Sequence, residues 1–140
     1  TSFPFAYKMR NTDASQNIIM YRLADVLLLK AEALNETGDL ASARTLVNQI
    51  RTRAKLPATT AADQAAMRLA IEKERRLELA FEGKRWFDLK RTGRVLPVMQ
   101  AVKDGAGNSL KYNLTENRLL WPIPQGEIDK NANLTQNEGY

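Results

Sequence analysis

The chain has 140 residues and a net charge of +5, with 44% hydrophobic and 26% charged residues. This is the composition of an ordinary globular domain, which excludes collagen, a low-complexity tail and wholesale disorder. It contains neither cysteine nor histidine, so disulfides, thiolate or imidazole metal sites and His-based triads are impossible within it. Catalysis would have to rest on Asp, Glu, Lys, Tyr or Ser, and no apolar run approaches the roughly 18 residues of a membrane helix. Charge is uneven, at +3 for residues 1–60, +3 for 61–100 and −1 for 101–140. Five of the basic residues lie between Lys84 and Arg94 with one acid, Asp88. Such a cluster attracts phosphate or supplies ion-pair partners; the second reading is preferred, and no nucleic-acid partner is expected.

Residues 1–10 carry no targeting signal. Phe3, Phe5 and Tyr7 alternate with Pro4 and Ala6, the pattern of a short extended segment, and the opening reads as part of something longer. Residues 21–37 read as a first helix, with Leu23, Val26, Leu27, Ala31 and Leu34 at helical spacing. Ala24, Leu28 and Ala33 widen the apolar surface, Asp25, Glu32 and Glu36 form the polar strip, and Gly38 stands where a left-handed cap belongs. Asp39 is a good N-cap for a second helix over 40–54, whose stripe is Leu40, Ala43, Val47, Ile50 and Ala54. The short Gly38-Asp39 link sets the two helices antiparallel, a pairing similar to a tetratricopeptide repeat. One such unit cannot bury its own face and must stack on something else.

Pro57 stops the second helix, and Thr59 or Thr60 is placed to cap a third over 62–82. Met67, Ala70, Ile71, Leu77 and Phe81 share a face there, and Glu74 and Glu78 fall in its middle. Buried carboxylates must be protonated, hydrogen-bonded or paired. Two acids four residues apart stand about 5–6 Å from each other at Cβ, which suits a retaining glycosidase. The many arginines nearby, Arg22, Arg51, Arg53, Arg75, Arg85 and Arg91, would instead hold both acids ionised and remove the proton donor. A structural Glu–Arg lattice is the preferred reading.

Gly83 closes the third helix, and a short helix runs from Arg85 to Arg91 with Arg85, Asp88 and Arg91 spaced for pairing. Trp86 is either a sugar-stacking platform or, preferably, a core anchor. After Val95 the helical period fades. Residues 104–108 (Asp-Gly-Ala-Gly-Asn) form a turn that does not fit a phosphate loop, and 111–113 with 118–122 suggest a short hairpin. Trp121-Pro-Ile-Pro124 is extended because residues before proline avoid the helical region. Trp121 and Tyr112 are the best remaining stacking candidates, although plugging a helical core is the blander use of both. Residues 131–140 read as an irregular, docked terminus.

Taken together, Arg22-Leu-Ala-Asp-Val-Leu-Leu28, Ala31-Glu-Ala-Leu-Asn35, Asn48 and Ile50-Arg-Thr-Arg-Ala54 resemble the opening blocks of the SusD/RagB signature. Glu74-Arg-Arg-Leu-Glu78, Phe81-Glu-Gly83 and Arg85-Trp-Phe-Asp-Leu-Lys-Arg91 resemble its most distinctive block. Leu120-Trp-Pro-Ile-Pro-Gln125, Glu127-Ile128 and Gln136-Asn-Glu-Gly-Tyr140 resemble its close, with Glu138 where proline is usual.

The resemblance implies a mainly α fold, part of a SusD-like α–α superhelix. It would comprise a tetratricopeptide-like hairpin over 20–56, signature helices over 60–92 and a loop-rich cap over 93–140, all within the C-terminal region of a longer chain. It implies a non-catalytic glycan- or nutrient-binding scaffold, exposed on the outer membrane and attached through an N-terminal lipid anchor absent from this sequence. Its partners would be a SusC-like TonB-dependent transporter and an oligosaccharide or polysaccharide, with no cofactor and no metal. The signature residues build scaffold in the family, and its glycan contacts come mostly from elsewhere, so no binding residue is carried over. The alternative is a protein–protein interaction module of tetratricopeptide type.

Overall fold

The computed structural model describes residues 19–110, 112 and 114–140; the aromatic alternation at Phe3, Phe5 and Tyr7 lies outside them. The chain is mainly α-helical, and none of the helices is long and apolar enough to cross a membrane. Two compact units meet in sequence at Arg85 and Trp86.

The first unit is a helical hairpin closed by a third helix. Helix α1 spans Leu23–Glu36, α2 Leu40–Arg53 and α3 Gln64–Glu78. At the end of α1, Gly38 adopts φ +90, the Gly38 amide donates to the Asn35 carbonyl (3.2 Å), and the Asp39 amide donates to Leu34 (2.8 Å). These two bonds form a Schellman cap, which requires a left-handed residue that glycine supplies without strain. Asp39 then accepts from the Ser42 amide (3.0 Å) and starts α2. That bond holds the Asp39 carboxyl below its usual value.

Ala24, Leu28 and Ala31 of α1 meet Ala43, Val47 and Ile50 of α2, with Met67 and Ile71 of α3 completing the core. The small alanines bring α1 and α2 close, while Leu28, Val47, Met67 and Ile71 supply the volume. The buried face of α1 therefore differs from the predicted stripe. Leu23 is 71% exposed and Val26 is also exposed, whereas Asp25, assigned to the polar strip, is buried at 2%. A helix that is apolar most of the way round has no unique inward face by periodicity; the packed neighbours choose it.

Helix α3 starts later and stops earlier than predicted. Asp63 rather than Thr59 or Thr60 caps it, accepting from the Ala66 amide at 2.7 Å. Thr59 instead donates its amide to Asn48 (2.8 Å) in the loop between α2 and α3. The helix ends at Glu78 and gives way to a turn in which Phe81 and Gly83 both have positive φ, 67 and 72. Phe81 consequently lies exposed instead of extending the core stripe, and Leu77, still within α3, is exposed as well.

Helix α4 runs Arg85–Arg91 as predicted. In the second unit, Leu89 and Val95 are buried, and the Arg94 amide donates to the Leu89 carbonyl at 2.8 Å around Gly93 (φ +68). A further helix, α5 (Val95–Gln100), forms where the period seemed lost; Pro97 sits in its first turn, where no amide donor is needed. The 104–108 turn forms, with Asp104 accepting from the Ala106 and Asn108 amides. The predicted hairpin does not take shape: Arg118 and Leu119 belong to a 3-10 turn, Glu116–Leu119, while Lys111 and Asn113 lie outside the described residues. Among the described residues the β pairing is a single antiparallel bridge, Lys103 with Ser109. Helix α6 is one turn, Gln125–Ile128.

Candidate functional site

The two acids that suggested glycosidase chemistry are bound up in ion pairs of the first unit. Glu74, buried at the centre of α3, receives Arg51 Nη1 of α2 at 2.8 Å. The same Arg51 donates Nε to the Pro57 carbonyl (2.7 Å), so one guanidinium ties α3 to the loop that precedes it. Glu78 receives Arg22 and Arg53 together. Burial pushes the Glu78 carboxyl up, but the hydrogen bonds from Arg53 and Arg22 outweigh it and hold the group below the ordinary glutamate value. Arg22 also grips Glu82 through Nε (3.0 and 2.9 Å). The Glu82 contact raises the Arg22 guanidinium further, against burial. A general acid must hold its proton near neutral pH, and Glu78 is tuned the opposite way.

The lattice extends to Asp25, which the sequence reading placed on the polar strip. Arg75 Nη2 donates to Asp25 Oδ1 (2.8 Å) with both side chains buried, and Lys84 Nζ stands 3.4 Å from Asp25 Oδ2. Lys84 also donates to the Met20 carbonyl (2.6 Å) and lies 4.4 Å from the centre of the Tyr21 ring. Arg85, expected to pair with Asp88, pairs with Glu72 at 2.9 Å; Arg91 takes Asp88, at 3.0 and 3.1 Å. Much of the basic run from Lys84 is thus committed to carboxylates, leaving little for a phosphate backbone. Asn35 and Gln64 add a reciprocal tie, each side chain donating to the other's carbonyl (3.1 and 2.7 Å). The signal for the ion pairs was present as charge, but the partners of Arg22, Arg51, Arg53 and Arg75 lie 23 to 60 residues away.

The aromatic candidates fare differently. Trp86, expected to anchor the core, keeps 36% of its surface exposed, and Leu89 fills the buried position on α4. Trp121 is 84% exposed, which overturns the core-plug reading of that residue. Tyr112 is 45% exposed, and among the described residues no ring contact joins it to Trp121.

What fixes Trp121 is its backbone. Leu120 (ψ 152) and Pro124 (ψ 132) bracket an extended stretch, as the two prolines predicted. The stretch has no sheet neighbour among the described residues. Side chains of the C-terminal tail take a ladder's place. Asn137 Nδ2 donates to the Trp121 carbonyl (2.6 Å), Gln136 bonds both the Ile123 amide (2.8 Å) and the Ile123 carbonyl (2.9 Å), and the Tyr140 hydroxyl donates to Leu120 (2.9 Å). Arg118 covers the Tyr140 ring at 4.9 Å from its centre. The docked terminus was predicted; the identity of the groups it satisfies was not. The available hint was a pair of prolines beside main-chain groups with no predicted partner.

Among the described residues no cluster of three or more acids is arranged to hold a metal. The outcome is a scaffold of ion pairs in one unit and a fixed, outward-facing indole in the other.

Residues 4–140 match the SusD family. A SusD-like protein of Formosa agariphila is 40% identical over 133 residues, which cover 89% of this chain and 25% of that protein. The starch-binding protein SusD of Bacteroides thetaiotaomicron is 32% identical over 126 residues, 89% of this chain and 22% of its own length. The crystal structure of a SusD-like protein from Bacteroides fragilis superposes with a TM-score of 0.75 at 34% identity, covering 89% of this chain and 26% of that one. The chain therefore spans about a quarter of the length of the relatives it matches.

Proposed function

The chain belongs to the SusD family, and from that premise we propose that it is the C-terminal region of a glycan-binding protein in nutrient uptake. In this reading the protein captures an oligosaccharide or polysaccharide and passes it, unaltered, to a SusC-like TonB-dependent transporter in the outer membrane. The complete protein is a surface-exposed lipoprotein held by an N-terminal lipid anchor. The region described is mainly scaffold, and Trp121 is its stacking candidate, with Tyr112 a weaker one.

The observation that carries the reading is the match along residues 4–140 to a family that includes a starch-binding member. The arginine-bound state of Glu74 and Glu78 supports binding without turnover. Isothermal titration of the full-length protein against starch, xylan and mannan, with a reducing-end assay alongside, tests it. Binding of one polysaccharide without release of reducing ends is expected. Hydrolysis, or no binding across the panel, refutes the proposal.

A second reading, a protein-interaction module, draws on the exposed side chains of Leu23 and Val26 on α1 and of Tyr21 just before it. It predicts capture of a protein other than a transporter by the full-length chain, lost when Leu23 and Val26 are replaced by Ser.

A further inference from the structure

We infer that Arg22 couples the start of α1 to the turn after α3, so that residues 20–26 and 78–84 open and close as one unit. Arg22 occupies the N-cap position of α1, where its backbone is extended (φ −146, ψ 162) and its side chain makes no capping bond. Asp39 and Asp63 do cap α2 and α3, each accepting a first-turn amide. A guanidinium has no acceptor to offer such amides, and its charge opposes the positive end of the helix dipole. Local physics therefore disfavours a helix start at this position.

The guanidinium serves the far end of another helix instead. Its Nη2 donates to the carbonyl of Glu78, the last residue of α3, while Nη1 meets the Glu78 carboxylate and Nε the Glu82 carboxylate. A cation at a helix C-terminus satisfies a free carbonyl and is favoured by the dipole. One side chain thus leaves its own helix uncapped and closes α3, 56 residues away.

The turn after α3 is no more self-sufficient. Phe81 adopts φ 67, and a bulky side chain at positive φ persists only where its surroundings determine it. What the conformation achieves is to bring Glu82 and Lys84 to the entry of α1. Glu82, whose side chain is 3% exposed, pairs with Arg22. Lys84 donates to the Met20 carbonyl and stands over the Tyr21 ring.

Each segment departs from what its own residues favour, and each is held by side chains of the other. Loosening one removes bonds that order its partner, which makes the pair a local cooperative unit. Anything that orders one end then orders the other to the same degree in free energy. Ala43, Val47 and Ile50 of α2 lie in the core and take no part in these bonds.

Hydrogen exchange of the full-length protein, read by mass spectrometry on peptides covering 20–26, 78–84 and 43–50, tests the coupling. The deciding variant is Arg22→Ser, which gives α1 the capping hydroxyl it lacks and removes the link to α3. Exchange is expected to quicken by about tenfold or more at both 20–26 and 78–84, with 43–50 as in wild type. Lys84→Met leaves Arg22 in place and is expected to quicken both segments by about threefold. It decides by the same criteria if Arg22→Ser does not fold.

Slower or unchanged exchange at 20–26 in Arg22→Ser shows that local capping governs the start of α1 and overturns the inference. So does faster exchange at one of the two segments alone, in either variant. Equal acceleration at 43–50 shows a global loss of stability in place of a local unit, and overturns it as well.

Discussion

Asp25 and Arg75 are the side chains whose replacement the first unit tolerates least. Both are buried and bonded to each other at 2.8 Å, and the Asp25 carbonyl accepts from the same guanidinium at 3.3 Å. Removing one member of a buried pair leaves the other's charge without its principal partner, which costs about 3–5 kcal/mol. Arg75→Ala is therefore expected to lower unfolding stability by that amount in urea. Arg68→Ala, which breaks only the exposed pair with Glu36, should leave the midpoint almost unmoved. The lattice also sets an acid limit. The Glu78 carboxyl is held below its ordinary value in the folded chain, so the unfolded state binds its proton more readily. The stabilisation is complete above the unfolded value of about 4.3 and is lost as pH falls through the lower folded value. Replacing Glu78 with Gln should flatten that part of the stability–pH curve, read by urea midpoints between pH 6 and 3.

At the scale of elements, one device ends three helices. Around Gly38 and Gly93 the paired bonds of a Schellman cap close α1 and α4, and the same pair closes α2, where the Lys55 amide donates to Thr52 (2.9 Å) and Leu56 to Arg51 (2.9 Å). The left-handed residue there is Lys55, with φ 57. A side chain in that region costs about 1–2 kcal/mol, reduced by the extra chain entropy glycine brings to the unfolded state. Lys55→Gly is expected to raise stability by about 1 kcal/mol, and Gly38→Ala to lower it by about 1–2 kcal/mol, both measurable by thermal unfolding. The cap at Gly38 was legible because glycine marks it; the cap at Lys55 was not, since nothing in a lysine announces positive φ. Helix α3 makes the converse point. Its apolar period continues to Phe81, yet the backbone leaves the helix at Glu78 because the following turn places Phe81 at φ 67.

For the whole molecule, the exposed outer surface of α1 decides behaviour in solution. Leu23, Val26 and Leu29, three residues apart along α1, all remain accessible, and exposed apolar side chains spaced along one helix face promote association. The 140-residue chain is expected to sediment as a concentration-dependent mixture in analytical ultracentrifugation, shifting to monomer in Leu23→Ser/Val26→Ser. A strictly monomeric chain across the concentration range would contradict this. The same comparison bears on function, because a chain spanning a quarter of its relatives need not contain the surface that recognises their ligands.

From the sequence alone came the helical class, the antiparallel α1–α2 hairpin, the boundaries of α2 and α4, the extended Trp121 segment and the family. Each rests on local physics or on ordered motifs: a glycine that relieves positive φ, an aspartate that caps, prolines that bar helix. It also yielded the arginine–glutamate lattice in kind, since acids on an apolar face require partners. Tertiary structure decided which partners. Asp25 moved from solvent to core because Arg75 reaches it from 50 positions away, and Arg85 went to Glu72 instead of Asp88. It likewise turned Trp121 outward, by satisfying the backbone on either side of it with the chain terminus. Burial is settled by which surfaces meet, and in a helix apolar on most sides, or a loop with no period, sequence spacing holds no record of that meeting.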